Sequence, residues 1–325
     1  MVLQDGEWNN KKTIVIDLSV IIPTYNRAER LRVCLEALAR QTQPANEFEV
    51  IVVVDGATDD TGRMLSGMNT PFALQVLFQE NKGQNVARNH GVEFAQGRYC
   101  LFLDDDIIPE PELIVEHLDL HRQGDKVVGI GQMVLKIPKR PNWFMRSYAR
   151  GWDQHYEMLN QGIHQPGWLD CYGGNLSVSR AVFLEVGGFA SDIRRSHDIE
   201  FDYRLEQHGV TFVYLPRALG TQDEHKGIRE LVADAEKAGT AWITLCQRHP
   251  AMYPHLLEGL VQTGLRESWL REMCWRFGVS PFLLAMLGEL IGRTVWARKW
   301  FRFINQYSYW RGFRRALPGE RLHHA

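Results

Sequence analysis

The chain has 325 residues, 45% of them apolar and 23% charged, a balance that supports a full core and excludes disorder and a disulfide-stapled scaffold. A net charge of −2 excludes a general attraction to nucleic acid, so no nucleic-acid partner is expected. Five widely spread cysteines without CxxC spacing argue against a disulfide framework or a zinc site. Residues 1–12 are polar and lack the apolar core of a secretory signal, and the longest apolar run, residues 281–291, falls short of the roughly 20 residues a spanning helix needs. A cytoplasmic protein is expected.

Residues 1–17 read as a tail, 18–226 as one α/β unit with halves 18–135 and 136–226, and 227–325 as a helical extension. In the first half, short β-branched runs at 18–22, 49–54, 73–78, 99–103 and 127–134 alternate with helical periods, the pattern of a mostly parallel sheet with crossover helices. Between the first two runs, Arg30, Leu31, Val33, Cys34, Leu35 and Leu38 recur at three-and-four spacing; between the third and fourth, Val86, Ala87, His90, Gly91, Phe94 and Ala95 do the same. Polar clusters follow three of the strands, at Thr24-Tyr25-Asn26, Asp55-Gly56 and Asp104-Asp105-Asp106, where such sheets open their ligand crevice. Residues 136–167 lose periodicity and gain Pro, Trp, Tyr and His, which predicts an irregular, mobile segment over that crevice. A strand at 175–179, a helix from Arg180, a turn at Gly187-Gly188 and a helix over 198–208 stopped by Gly209 follow. From Ile228 onward the chain reads as helix.

The most specific cluster is Asp104-Asp105-Asp106 at the end of an apolar strand. Adjacent carboxylates repel unless a cation compensates them, and hard oxygen donors select Mg²⁺ or Mn²⁺. If strand alternation continued, residues 104 and 106 would point to the same side. A second carboxylate centre, His197-Asp198-Ile199-Glu200, opens a helix; an Asp there is either a helix cap or a general base. Lys82 and Arg88 are cations suited to donor phosphates or the ribose side of the crevice, with Arg88, on a helix whose other face is apolar, directed at the crevice or at the Asp104 group.

Several motifs in register resemble the family-two glycosyltransferases: Ser19-Val20-Ile21-Ile22-Pro23-Thr24-Tyr25-Asn26-Arg27, Val53-Val54-Asp55-Gly56, Asn81-Lys82-Gly83 with Ala87-Arg88-Asn89-His90-Gly91, Phe102-Leu103-Asp104-Asp105-Asp106, Gly173-Gly174-Asn175, Val186-Gly187-Gly188-Phe189 and His197-Asp198-Ile199-Glu200. The likeness covers about residues 18–226. It implies a GT-A type nucleotide-diphospho-sugar transferase fold and an inverting, metal-dependent transfer from a nucleoside-diphosphate sugar to a glycan or lipid-linked acceptor. It further implies that Pro23, Thr24, Tyr25, Arg27 and Asp55 surround the nucleoside, with Asp55 accepting from the base ring, which suits uracil better than adenine and favours a UDP-sugar. Asp104 would bind the ribose and share the metal, Asp105 would line the donor side, and Asp106 would hold the metal with His225. Asp198 matches the family's base. Gly173, Gly174, Asn175 and His197 would line the acceptor side, with Trp168 either stacking on a sugar or lying in the core. Two departures stand out: Val54 where many relatives carry a second acid, and His197 where they carry Glu. They keep open a competing reading, a non-catalytic sugar-nucleotide or glycan-binding subunit.

Past Leu290, Arg293, Arg298, Lys299, Arg302, Arg311, Arg314 and Arg315 interleave with aromatic residues from Trp296 to Phe313, with no acid among them. This pattern fits peripheral contact with an anionic membrane, packing onto the catalytic unit, or a homo-oligomer interface.

Overall fold

The structure, a computed structural model, describes residues 16–193, 195–223, 226–255, 265–291 and 296–317. In chain order β1 (Leu18–Thr24), α1 (Ala28–Leu38), β2 (Phe48–Asp55), α2 (Thr61–Ser66), β3 (Ala73–Gln79), α3 (Gln84–Phe94) and β4 (Tyr99–Leu103) alternate strand and helix. Their strands lie side by side as β3-β2-β1-β4, all parallel. Every residue of β1 and β2 is buried, which is why both read as mostly apolar runs: helices cover the sheet on both faces, and the interior polar pair is satisfied by the Ser19 hydroxyl donating to Glu49 at 2.6 Å. The four strands match the expected positions to within two residues.

The chain continues through β5 (Ile107–Pro109), α4 (Leu113–His121), β6 (Val127–Leu135), α5 (Trp143–Asn160), β7 (Asn175–Ser179), α6 (Arg180–Glu185), α7 (His197–Gln207) and β8 (Thr211–Gln222). β7 runs antiparallel between β4 and β6, β8 is parallel to β6, and β5 closes the eight-stranded sheet antiparallel to β8. β8 was not legible in the sequence. It contains Pro216 and shifts register against Gly131/Gln132, so a bulge breaks its alternation.

Two expectations need correction. The helix over α3 buries Asn85, Ala87, Arg88, Gly91 and Val92 and leaves Phe94 45% exposed, so its inner face is rotated from the predicted one and includes polar side chains. The segment predicted to be irregular contains α5, an 18-residue helix whose first turn is capped by Asn142 Oδ1 accepting from the Met145 amide at 2.8 Å. Its buried residues include Trp143, Phe144 and Met145, aromatic-rich instead of aliphatic, which hid the helical period.

Past β8 come α8 (Ile228–Arg248), α9 (Leu265–Arg276), α10 (Pro281–Ile291) and α11 (Ala297–Ala316). Trp242, Ile243, Leu245 and Phe313 join the apolar cluster that includes Ile21, Phe102, Val178 and Phe201 of the sheet and α7, so sheet and helices share one core. α8 and α11 cross with backbones nearly touching, since a Cβ on Gly239 would lie 1.9 Å from the Tyr309 carbonyl oxygen. Phe303, Ile304 and Tyr307 of α11 pack with Trp143, Phe144 and Leu284. Arg311 and Arg315 pair with Glu236 at 3.4 and 3.1 Å, and Arg314 with Glu272 at 2.8 Å. Packing therefore accounts for much of α11, while Arg293 lies outside the described residues.

Candidate active site

The carboxyl ends of β1, β2 and β4 open on a cavity of about 360 Å³ lined by Pro23, Thr24, Tyr25, Arg27, Asp55, Gln84, Asp104, Asp105, Asp106, Arg195, Gln222 and Lys226. Residues far apart in sequence meet there because parallel strands all point their carboxyl ends the same way. Strand alternation does not carry past Leu103. The Ile107 amide donates to the Asp104 carbonyl at 3.1 Å, and this tight turn, not the strand pleat, brings the three aspartates to one cavity.

Each aspartate has its own surroundings. Asp104 accepts from Arg88 and Gln84, both at 2.7 Å. Asp105 is 3% exposed, its oxygens taken by the Thr24 hydroxyl at 2.7 Å and by Arg27 at 2.9 Å. Burial raises its pKa, with Arg27 and Thr24 opposing. It thus fixes Thr24 and Arg27 from beneath. Asp106 lies 3.3 Å from Arg27 and 3.9 Å from Arg30. Asp55 accepts from Gln79 and from the Lys82 and Gly83 amides, each at 2.8 Å, so it ties β2 to the loop before α3 while still lining the cavity.

Arg88 meets the Asp104 group, one of the two directions expected of it. It is 1% exposed and spends its donors on Asp104, on the Gly173 carbonyl at 2.6 Å and on His197 Nε2 at 3.1 Å. It therefore joins the Asp104 turn, β7's approach and α7. A Cβ on Gly173 would lie 2.7 Å from the Arg88 guanidinium, and one on Gly174 would lie 2.8 Å from Asp104 Oδ2. These glycines make room for site side chains. Asn175 is corrected from the acceptor side to the interior, and Trp168 takes the core position that was its alternative. Asn175 is 1% exposed, donates to the Ala218 carbonyl at 2.9 Å and meets His117 at 3.0 Å; Trp168 is 5% exposed among Tyr203, Trp242 and His255. Neither is placed to meet an acceptor.

A second cavity, about 240 Å³, is lined by Asn81, Lys82, Gly83, Gln84, Asn85, Ser191, Ile193 and His197, and shares Gln84 with the first. α3 shapes its wall: Asn85 donates to the Ala190 and Ile193 carbonyls, and Asn89 clasps both backbone polar groups of Phe189. Burial pushes His197 down to about 4, with Asp198 opposing and Arg88 adding, so the ring is neutral near pH 7 and its Nε2 accepts from Arg88.

The first two turns of α7 carry three acids with different environments, and Glu206 follows, exposed, in its last turn. Glu200 is 1% exposed and bound by Arg204 at 2.8 and 3.0 Å and by His249 at 2.9 Å; burial raises its pKa but these partners outweigh burial and lower it. Asp202 is 1% exposed, and burial, then the charge of Asp198, pushes it well above the carboxylate range. Asp198 alone of the three is partly exposed, its Oδ1 accepting its neighbour's amide at 3.0 Å.

Gln84, Arg195, Gln222 and Lys226 were missed in the sequence. Arg195 and Lys226 stand on opposite sides of β8 in the chain, and Asp234 of α8 pairs with both, at 3.7 and 2.9 Å. No local pattern announces that tether. His225 lies outside the described residues.

The family model for glycosyl transferase family 2 matches residues 19–187. The chain belongs to this family. It is 28% identical over 275 residues to validoxylamine A glucosyltransferase of Streptomyces hygroscopicus subsp. jinggangensis, covering 76% of this chain and 64% of that protein. It is 39% identical over 207 residues to glycosyltransferase AglE of Haloferax volcanii, covering 62% and 66%. The chain thus spans less than two thirds of these curated relatives' lengths. Its fold is that of the Pyrobaculum calidifontis mannosyltransferase solved with GDP-Man and Mn²⁺, with a TM-score of 0.65 at 16% identity, covering 92% of this chain and 86% of that one. The family 2 match contains all the motif aspartates of the first cavity; Asp198 and His197 lie beyond its end.

Among the described residues no three His, Cys, Asp or Glu side chains are gathered as a metal cluster. The donor set of the first cavity nonetheless fits a hard divalent cation: Asp104 and Asp106 both line it, and Arg27 already places positive charge on Asp106.

Proposed function

We propose that this chain is an inverting glycosyltransferase that moves a sugar from a nucleoside diphosphate, with UDP-sugars the favoured donors, to a hydroxyl of a glycan or lipid-linked acceptor. The carrying observation is the cavity at the strand carboxyl ends, where the Asp104–Asp106 turn faces the Thr24–Arg27 turn and the cations Arg195 and Lys226. Thr24, Tyr25, Arg27 and Asp55 hold the nucleoside side. Arg195 and Lys226, steadied by Asp234, offset the charge of the departing diphosphate. A divalent cation, Mn²⁺ or Mg²⁺, would be held by Asp104 and Asp106 and would neutralise that leaving group.

Asp198 takes the acceptor proton as the acceptor oxygen bonds to the anomeric carbon, while the bond from that carbon to the diphosphate oxygen breaks and its electron pair leaves with the diphosphate. Glu200 is saturated by Arg204 and His249, and Asp202 is sealed in the core, which leaves Asp198 as the available acid in the first two turns of α7, the exposed Glu206 lying in its last turn. His197 lines the neighbouring cavity and contributes to the acceptor side. A panel of UDP- and GDP-sugars incubated with Mn²⁺, with and without chelator, should show metal-dependent release of the nucleoside diphosphate. Binding of a nucleotide sugar with no release under any condition would turn the assignment to a non-catalytic binding subunit.

A further inference from the structure

Positions 265–317 hold ten basic and three acidic residues, in a chain whose net charge is −2. The same stretch carries eight of the eighteen large apolar side chains exposed among the described residues. On α9, Trp269 and Met273 recur at helical spacing and Phe277, 75% exposed, continues the row; on α10, Leu283 and Leu287 do the same. Trp296 is 59% exposed. The other sides of these helices are already packed: Trp275 meets Trp310 edge-on with ring centroids 5.8 Å apart, and Leu284 and Ala285 lie in the cluster with Trp143 and Tyr307. Folding therefore consumes one face of each helix and leaves a second apolar face outward.

Cations neighbour these residues in the chain. Arg276, Arg298, Lys299 and Arg302 are exposed, and Lys299 Nζ sits 5.2 Å from the centre of the Trp296 ring. No helix among the described residues is long and apolar enough to cross a bilayer. Exposed aromatic rings beside cations, on helices too short to span, match a surface that lies in the headgroup plane.

We propose that the outward faces of α9 and α10, together with Trp296 and its neighbouring cations, dock on an anionic lipid bilayer. Charge selects this occupant over a second copy of the chain, because two such basic faces would repel each other. The surface differs from the one expected on sequence: α9 and α10 supply most of the apolar contact, whereas α11 turns Phe303, Tyr307 and Phe313 inward and supplies chiefly charge.

The full chain is to be sedimented with phosphatidylcholine vesicles, alone or containing phosphatidylglycerol, at low and high salt. It should bind the phosphatidylglycerol vesicles at low salt and lose roughly tenfold or more in affinity at high salt or without the anionic lipid. The variant Trp269→Ser/Phe277→Ser should keep the parent's thermal midpoint, since both side chains are exposed, yet bind the same vesicles roughly tenfold more weakly. Absence of binding at low salt, or equal binding by this variant, overturns the proposal. A dimer that the same variant converts to monomer, with vesicle binding unmoved, would assign the face to self-association instead.

Discussion

At the residue scale, the motif side chains converge as their spacing implied, but burial divides their roles in ways residue type does not encode. Arg88, Asp105 and Asn175 are polar residues that the fold encloses to hold Asp104, Arg27 and β7 in place. A sequence shows their chemistry and not their exposure. Asp198→Asn keeps the shape of the side chain and loses the proton acceptor, so donor affinity should stay within a few-fold while kcat falls by roughly 10²–10⁴. Steady-state kinetics beside calorimetry separate the two effects, and surviving turnover would move the base elsewhere. Arg88→Met strands the partners that Arg88 now satisfies, and loss of one member of such a buried pair costs about 3 kcal/mol or more. Urea unfolding should show it; an unchanged midpoint would mean that Arg88 is not the strut its contacts describe.

At the scale of elements, β1, β2 and β4 were legible because buried strands are mostly apolar runs bounded by polar turns, and β7 because Leu176 and Val178 alternate with polar residues. α5 and β8 were not: one packs aromatics at positions without an aliphatic stripe, the other bends through a bulge. α4 gives a test through pH. His117 and His121 are 0% and 1% exposed; they meet the Ser177 hydroxyl at 2.7 and 2.8 Å. Burial pushes their pKa values down, to about 4 and about 3, with neighbouring His117 adding to the shift of His121. An unfolded histidine titrates near 6.5, so unfolded chains take up protons first, and the stability these neutral rings confer is full above about pH 6.5 and lost as pH falls toward 4 and 3. Asp202 acts in the opposite sense, its raised pKa making folding less favourable as pH rises. The variant comparison isolates the histidine effect: His121→Gln should lose less stability than the parent between pH 6.5 and 4 in denaturant titrations. Equal losses would contradict a buried neutral His121.

At the scale of the whole molecule, the helices after β8 complete both the core and the site. Asp234 of α8 reaches back to Arg195 and Lys226 at the cavity, and Phe313 of α11 joins the cluster that runs under the sheet. Ending the chain after residue 290 removes Phe303, Tyr307 and Phe313, buried aromatics worth roughly 1.5–3 kcal/mol each, and bares Trp143 and Phe144. The truncated protein should unfold at a clearly lower temperature than the full chain; an unchanged midpoint would show that α11 is a separable appendage. The central claim, a nucleoside diphosphate held with a divalent cation over the Asp104–Asp106 turn, is tested most directly by calorimetric titration of UDP, then GDP, into the full chain and its Asp106→Ala variant, with Mn²⁺ and with chelator. The account predicts binding by the parent that depends on Mn²⁺ and is lost in the variant. Equal affinity with chelator, or an Asp106→Ala variant that binds as tightly as the parent in Mn²⁺, would contradict it.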